Sequence, residues 1–277
     1  MINERLRMDR PVLLAIILTL PLLTFSSCAA DPQAAAEARM KKLRAKDVFV
    51  DTRDIALAEG VALGDRDAIN AAIAAGANVN ARGDKGTPML MWAMAKDSVT
   101  GFDALLDNGA DLKGLAHDPG LSRNGERTEQ VIERVVESPK SEFLRTALKH
   151  GFDPDYVPNP RMNESLMFRA VWSHAIPNAR ILLEAGADIN HAEANKDTPL
   201  LLAQGIRDYE MVSFLLSRGA NPLIENSGNV NLAARIKRNG ARGVKPEQYP
   251  HFLKVVEELK NRGLITDEDI VHANMPN

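Results

Sequence analysis

Side chains able to act as metal ligands or nucleophiles are sparse in this chain. Its 277 residues include one cysteine and six histidines. The histidines are His117, His150, His174, His191, His251 and His272. None of them lies at a zinc-ligand spacing from another histidine or from the cysteine. The sequence therefore predicts no metal site.

Motifs of the common nucleotide-binding and hydrolytic enzymes do not occur either. The chain has no glycine-rich phosphate loop of the P-loop or dinucleotide type, and no Gly-x-Ser-x-Gly turn that would present a nucleophilic serine. Its 34 Lys+Arg and 37 Asp+Glu give a formal net charge of −3, whereas binding to nucleic-acid phosphates needs an excess of positive charge. We therefore predict a non-enzymatic protein with no cofactor, no nucleic-acid partner and no small-molecule substrate.

The one cysteine, Cys28, follows an N-terminal segment with the pattern of a secretory leader. Arg5, Arg7 and Arg10 precede an uncharged and largely apolar run, residues 11–25. This run is shorter than the roughly 20 residues that a transmembrane helix needs. A basic start, a short apolar run and small residues after it are typical of a cleaved signal peptide.

Segment 25–29, Phe-Ser-Ser-Cys-Ala, resembles the bacterial lipobox. The resemblance implies that residues 1–27 are removed as a signal peptide and that Cys28 carries a lipid. Ala29 after the cysteine resembles the sorting signal for the outer membrane, so we expect a lipid-anchored protein in the periplasm. The alternative is ordinary cleavage after Ala30, which leaves a soluble periplasmic protein.

Six glycines mark a repeat along the rest of the chain. The clearest copies lie in similar segments, Ala-Gly-Ala-Asn-Val-Asn at 75–80 and Ala-Gly-Ala-Asp-Ile-Asn at 185–190. The marker glycines, at spacings of 33, 42, 35, 33 and 44, are Gly76, Gly109, Gly151, Gly186, Gly219 and Gly263. Self-similarity at this period is typical of stacked repeats, because one unit cannot bury its apolar face alone.

The unit around Gly219 resembles the ankyrin repeat. It starts with the segment 198–203, Thr-Pro-Leu-Leu-Leu-Ala, and continues through an apolar second helix at 212–216. The family pattern runs from Thr-Pro-Leu-His-Leu-Ala-Ala to Gly-Ala-Asp-Val-Asn, and Thr87-Pro88 opens another copy. Threonine caps a helix well, proline suits its first turn, and glycine supplies the positive φ needed after a helix.

The resemblance implies an all-α ankyrin-repeat solenoid of about six helix-turn-helix units joined by β-hairpin-like fingers. We expect this domain at residues 51–277. Residues 28–50 are then a lipid-anchor tether and spacer, with a helix over residues 33–47. Extra turn-forming residues at 117–127 predict an enlarged finger, and those at 239–246 predict an expanded turn inside the last unit.

Proteins of this family usually bind partners with their fingers and inner helices, so the resemblance also implies a binding surface. Trp172 falls at an exposed inner-helix position, and tryptophan, methionine and arginine are enriched at interface centres. The alternative is that Trp172 fills the core between two units. The predicted partner-binding residues are Trp172, Phe168, Arg161, Met162, Glu164, Met94, Asp84, Lys85, Arg123, Arg127, Asn195 and Asp197.

Compartment and architecture together resemble those of immunity proteins that protect the periplasm against effectors delivered by type VI secretion, including lipases. We therefore expect stoichiometric binding of another protein, such as a secreted toxin or phospholipase effector, with membrane attachment through the N-terminal lipid. The alternative is a periplasmic scaffold or stress-protective partner of a resident envelope enzyme.

Overall fold

The computed structural model describes residues 41–83, 86–117, 128–240, 242 and 244–273. Its helices follow one another in pairs. The pairs are α1 (Thr52–Leu63) with α2 (Arg66–Ala74), α3 (Met89–Ala95) with α4 (Val99–Asp107), α5 (Val131–Glu137) with α6 (Glu142–Lys149), α7 (Leu166–Trp172) with α8 (Ile176–Glu184), α9 (Pro199–Gly205) with α10 (Tyr209–Ser217), and α11 (Leu232–Asn239) with α12 (Tyr249–Asn261). A last helix, α13, spans Asp267–Ala273.

The predicted start of a unit is found at α9. The Thr198 side chain accepts a hydrogen bond from the Leu201 amide at 3.3 Å, and Pro199 is the first helical residue. Threonine thus satisfies a free amide, and proline loses no hydrogen bond at this position. The second Thr-Pro pair is displaced by one residue, because α3 starts at Met89 and Pro88 itself is its N-cap residue.

The predicted positive φ is found at all six marker glycines, from +69° at Gly263 to +98° at Gly186. Gly186 and Gly219 follow α8 and α10, and a Cβ at either position would meet nothing within 4 Å. Backbone conformation, rather than crowding, therefore requires glycine there.

Neighbouring pairs pack through their first helices, their second helices or both. The first helices in contact are α1 with α3, α5 with α7, α7 with α9, and α9 with α11. The second helices in contact are α2 with α4, α4 with α6, α6 with α8, and α10 with α12. Each pair from α1–α2 to α11–α12 is therefore linked to the next, and the core between them contains fully buried side chains such as Leu57, Phe102, Leu144, Leu182 and Leu215.

Two short strands flank the predicted enlarged finger. β1 (Leu115–His117) and β2 (Thr128–Gln130) are antiparallel, with Leu115 opposite Gln130. Residues 118–127 between them lie outside the described residues. Strand β2 leads directly into α5, where the Gln130 amide donates to the Glu133 carboxylate at 2.8 Å. The second insertion, predicted as an expanded turn at residues 239–246, lies between α11, which ends at Asn239, and α12, which begins at Tyr249.

The packed part of the chain begins before the predicted boundary at residue 51. Ala45, Val48 and Phe49 are buried, and the Phe49 ring meets the Trp92 ring edge-on at 5.8 Å. The spacer helix predicted over residues 33–47 is also interrupted, because Arg44 has an extended backbone before a short 3-10 turn at Ala45–Asp47. In the described part of the predicted tether, these residues therefore belong to the core.

The C-terminal end differs from the repeat register as well. Helix α13 follows the last helix pair and packs against α11. The Lys237 ammonium on α11 lies 3.2 Å from the Asp269 carboxylate on α13, and Ile265 before α13 is buried. Helix α13 thus covers part of α11, the first helix of the last pair.

Candidate protein-binding surface

Equivalent residues of the first helices form rows along the stack, because these helices pack side by side. The N-cap residues of α3, α5, α7, α9 and α11 are Pro88, Gln130, Ser165, Thr198 and Asn231. The seventh residues after them are Ala95, Glu137, Trp172, Gly205 and Arg238, the seventh-residue row. The fourth residues after them are Trp92, Arg134, Arg169, Leu202 and Arg235, the fourth-residue row.

Trp172, in the seventh-residue row, is 48% exposed at the end of α7. Its indole lies near the Glu164 carboxyl group and acts to lower the pKa of that group. Met162, at the tip of the preceding loop, is 45% exposed, and Arg161 beside it is exposed. The prediction that Trp172 is exposed is confirmed, whereas its contact with a partner stays a prediction. We call Trp172, Glu164, Met162 and Arg161 the Trp172 surface.

The carboxyl group of Glu164 lies in an environment that disfavours its negative charge. Burial raises the pKa of Glu164, and the nearby carboxylates of Glu193 and Glu133 act in the same direction. The Arg169 guanidinium and the Trp172 indole oppose this rise in pKa. The Trp172 ring is thus half exposed beside a partly buried carboxyl group.

The loops beside the Trp172 surface are bonded to one another. The Ala194 amide donates to the Met162 carbonyl at 2.9 Å, and the Asn163 side chain donates to the Ala192 carbonyl at 2.7 Å. The next loop continues the series, with the Ser227 amide donating to the Asn195 carbonyl at 2.8 Å. These bonds fix neighbouring loops relative to each other, which is a favourable arrangement for a preformed binding surface.

An ionic network lies under the Trp172 surface. Arg169 pairs with the buried carboxylate of Glu133 and lies 3.3 Å from the Glu137 carboxylate. Arg134 lies 3.2 Å from the same Glu137 carboxylate. The network joins α5 to α7, so it fixes the helix that carries Trp172.

The structure corrects the predicted role of one site residue, Phe168, and shows two others to be partly buried. Phe168 is only 1% exposed and faces the His191 ring, with 6.3 Å between ring centres, so it cannot present a surface to a partner. Met94 is partly buried and packs against the core. Asp197 is partly exposed and lies 2.8 Å from the Arg235 guanidinium and 3.0 Å from the Asn226 side-chain nitrogen. Partner contacts of Met94 and Asp197 stay predictions.

Of the remaining predicted residues, Asn195 is exposed in the loop before α9, next to Ala194, whose amide donates to the Met162 carbonyl. Asp84, Lys85, Arg123 and Arg127 are outside the described residues, and so is the predicted lipid-attachment residue Cys28. Their predicted roles therefore stay predictions.

Sequence reasoning missed the ionic network and a cluster of arginines farther along the stack. The register carried a signal for both, because Arg134, Arg169 and Arg235 occupy the same fourth-residue row. In each case the guanidinium reaches a carboxylate, Glu137 for Arg134 and Asp197 for Arg235. A search for charges recurring in one row would have indicated these pairs.

Comparison with known proteins identifies the repeat. Residues 195–227 match the ankyrin repeat. The chain is 31% identical over 124 residues to a protein of Treponema pallidum (strain Nichols) whose description names ankyrin repeats, covering 44% of this chain and 41% of that protein. It is 29% identical over 153 residues to protein PhlB of Serratia liquefaciens, covering 55% of this chain and 63% of that protein. The chain thus spans less than two thirds of these relatives' length.

Solved structures agree on the fold. An ankyrin repeat domain from Acinetobacter baumannii AYE matches with a TM-score of 0.53 at 20% identity, covering 75% of this chain and 97% of that domain. The chain therefore has a mostly helical, ankyrin-repeat fold. Ankyrin repeats are protein–protein interaction modules. The Trp172 surface lies on the first helices and loops of this fold.

Two features relevant to other functions are absent from the part of the chain that is described. No helix there is both long and apolar enough to cross a membrane. Within the same residues, no group of three or more His, Cys, Asp or Glu side chains is placed to hold a metal ion.

Proposed function

We propose that this chain is a non-enzymatic binding module whose six helix pairs are ankyrin repeats and whose Trp172 surface contacts another protein. The observation that carries the proposal is the half-exposed Trp172 ring at the end of α7, beside loops that are bonded to one another. A large, amphipathic side chain on a preformed surface of this kind is typical of interface centres. Binding is stoichiometric, without turnover.

We further propose that the module acts in the periplasm from a lipid anchor at Cys28. Its support is the leader pattern of residues 1–27 and the lipobox-like segment that follows. An anchored binding protein stays at high local concentration beside the membrane. That location suits an immunity protein that neutralises an antibacterial effector of the lipase type on arrival. A scaffold for a resident envelope enzyme is the competing function.

Substitution of Trp172 tests the binding surface. We expect Trp172→Ala to weaken partner capture by about tenfold or more, since truncating an interface-centre tryptophan removes most of its contact area. Thermal unfolding should change little, because an exposed side chain contributes about 1 kcal/mol or less to stability. The measurement is capture of secreted and envelope proteins by the immobilised chain without residues 1–27, quantified by mass spectrometry, with circular dichroism of each variant.

Leu253 offers a matched control for this substitution. It is also 48% exposed, but it lies on α12, a second helix. Leu253→Ala should capture the same partner as the wild type. Equal capture by Trp172→Ala and wild type would reject the Trp172 surface. A secreted toxin as the captured protein supports the immunity function, and a resident envelope enzyme supports the scaffold.

Substitution of Cys28 tests the anchor separately. We expect Cys28→Ser to move the protein from the membrane fraction to the soluble periplasmic fraction, because serine cannot carry the thioether-linked lipid. The measurement is membrane flotation combined with metabolic labelling by radioactive palmitate. Label and flotation retained in Cys28→Ser would contradict the anchor, and a wild-type protein that is soluble and unlabelled would favour cleavage after Ala30.

A further inference from the structure

Gly205 leaves a gap in the seventh-residue row, between Trp172 on α7 and Arg238 on α11. An ideal Cβ at Gly205 would meet only a nitrogen of the Arg235 guanidinium, at 3.6 Å. The gap belongs to a pocket of about 260 Å³ between α9 and α11. Residues lining this Gly205 pocket include Gln204, Gly205, Arg207, Asn226, Arg235 and Arg238.

The Gly205 pocket carries an excess of positive charge. Arg235 is neutralised by Asp197 at 2.8 Å and also donates to the Leu201 carbonyl at 2.8 Å. Arg207 and Arg238 are exposed, and neither forms an ion pair with a carboxylate among the described residues. Two guanidinium groups therefore border the pocket with their charge uncompensated by the residues described around them.

The base of the pocket is fixed by hydrogen bonds. The buried Gln204 side chain accepts from the Arg235 guanidinium at 3.4 Å. Arg207 lies in the turn after α9, where its amide donates to the Gln204 carbonyl at 3.0 Å. The backbone that carries Arg207 is therefore held against the end of α9, and Arg238 extends from the facing helix.

We infer that the Gly205 pocket binds the carboxylate of an acidic side chain on the protein partner. Guanidinium groups offer paired N–H donors that match the two oxygens of a carboxylate, and such charge-assisted bonds are the stronger ones at interfaces. The pocket is smaller than the roughly 300–1,000 Å³ typical of small-molecule sites, so one side chain fits it better than a cofactor. That this carboxylate belongs to a protein partner rests on the proposed function. That the pocket binds a carboxylate does not.

A capped peptide tests the pocket without knowledge of the partner. The probe is acetyl-Gly-Glu-Gly-amide, titrated at constant ionic strength into the chain without residues 1–27, which retains every described residue. We expect saturable NMR shifts of the side-chain Nε–Hε signals of Arg207 and Arg238. The isosteric acetyl-Gly-Gln-Gly-amide, which lacks the negative charge, should leave these signals unchanged.

Two variants separate the pocket from general surface charge. Gly205→Leu keeps all the charges but fills the gap, and leucine also favours the helix more than glycine does. We expect Gly205→Leu to weaken binding of the glutamate peptide by about tenfold. Arg207→Gln combined with Arg238→Gln should weaken binding by a similar factor. The matched control is Lys46→Gln combined with Lys254→Gln, which removes the same charge from exposed positions and should leave peptide affinity unchanged.

Three outcomes would overturn the inference. Equal shifts with the glutamine peptide would show that charge is not recognised, and unchanged affinity in Gly205→Leu would show that the pocket is not the site. Tighter binding of inorganic phosphate than of the glutamate peptide would assign the pocket to a phosphoryl group instead. A failed titration leaves the Trp172→Ala capture result intact, so the two proposals fail independently.

Discussion

Replacing Trp92 by alanine should lower the free energy of unfolding by about 3–5 kcal/mol, the range for truncating a buried aromatic side chain. Trp92 is 1% exposed, and its indole N–H donates to the Ala58 carbonyl on α1 at 2.8 Å. Its ring contacts the Phe49 ring edge-on and lies 4.3 Å from the Lys96 ammonium. Truncation thus removes packing between α1, α3 and the segment before α1 together.

The second tryptophan supplies the contrast for this measurement. Urea unfolding followed by circular dichroism should show a loss below about 1 kcal/mol for Trp172→Ala, because that side chain is half exposed. Trp92→Phe should lie between the two, at about 1–3 kcal/mol, because it keeps a large ring but loses part of the packing and the hydrogen bond to the Ala58 carbonyl. Similar losses for Trp92→Ala and Trp172→Ala would contradict the burial of Trp92.

The fold was predictable from sequence wherever the backbone itself demanded a residue type. Gly186 and Gly219 have positive φ, and Thr198 caps α9, because few other residues tolerate those local conformations as well. These requirements recur at a fixed interval and therefore reveal the repeat. Phe49 and helix α13 do not recur at this interval, so the repeat register could not place them.

The candidate site was only partly predictable, because packing decides which side of a short helix is exposed. Phe168 and Trp172 are one turn apart on α7, so sequence spacing places them on the same side. Helix α7 is contacted by α5, α8 and α9, which leaves little of its surface open. Phe168 is consequently buried, whereas Trp172, the last residue of α7, is half exposed.

Contacts between repeats were hardest to predict, since each depends on two side chains more than 30 residues apart. The register puts Arg169 and Arg235 in one row, but it does not tell whether a guanidinium pairs with a carboxylate or faces solvent. Arg169 reaches Glu133 on the preceding first helix, and Arg235 reaches Asp197. The absence of a side chain at Gly205 is equally visible in the sequence, yet it indicates a pocket only once the neighbouring helices are placed.

Replacing Arg169 by methionine should destabilise the protein by about 3–5 kcal/mol, the cost of leaving a buried charge without its partner. Glu133 is 5% exposed and receives the Arg169 guanidinium and the Gln130 amide. Methionine fills a similar volume but leaves the Gln130 amide as the one donor to the Glu133 carboxylate among the described residues. Chemical unfolding at neutral pH should therefore give a large loss, while the seven-residue helix α7 keeps its apolar contacts.

A double-mutant cycle with Glu133→Gln separates charge from packing in this prediction. Glutamine can still accept from the Gln130 amide, so Glu133→Gln combined with Arg169→Met should recover more than half of the stability lost in Arg169→Met, with a coupling of about 2 kcal/mol. A loss that Glu133→Gln does not reduce would mean that Arg169 stabilises the α5–α7 contact through the packing of its aliphatic chain alone, and that the ionic network beneath the Trp172 surface contributes no net stability.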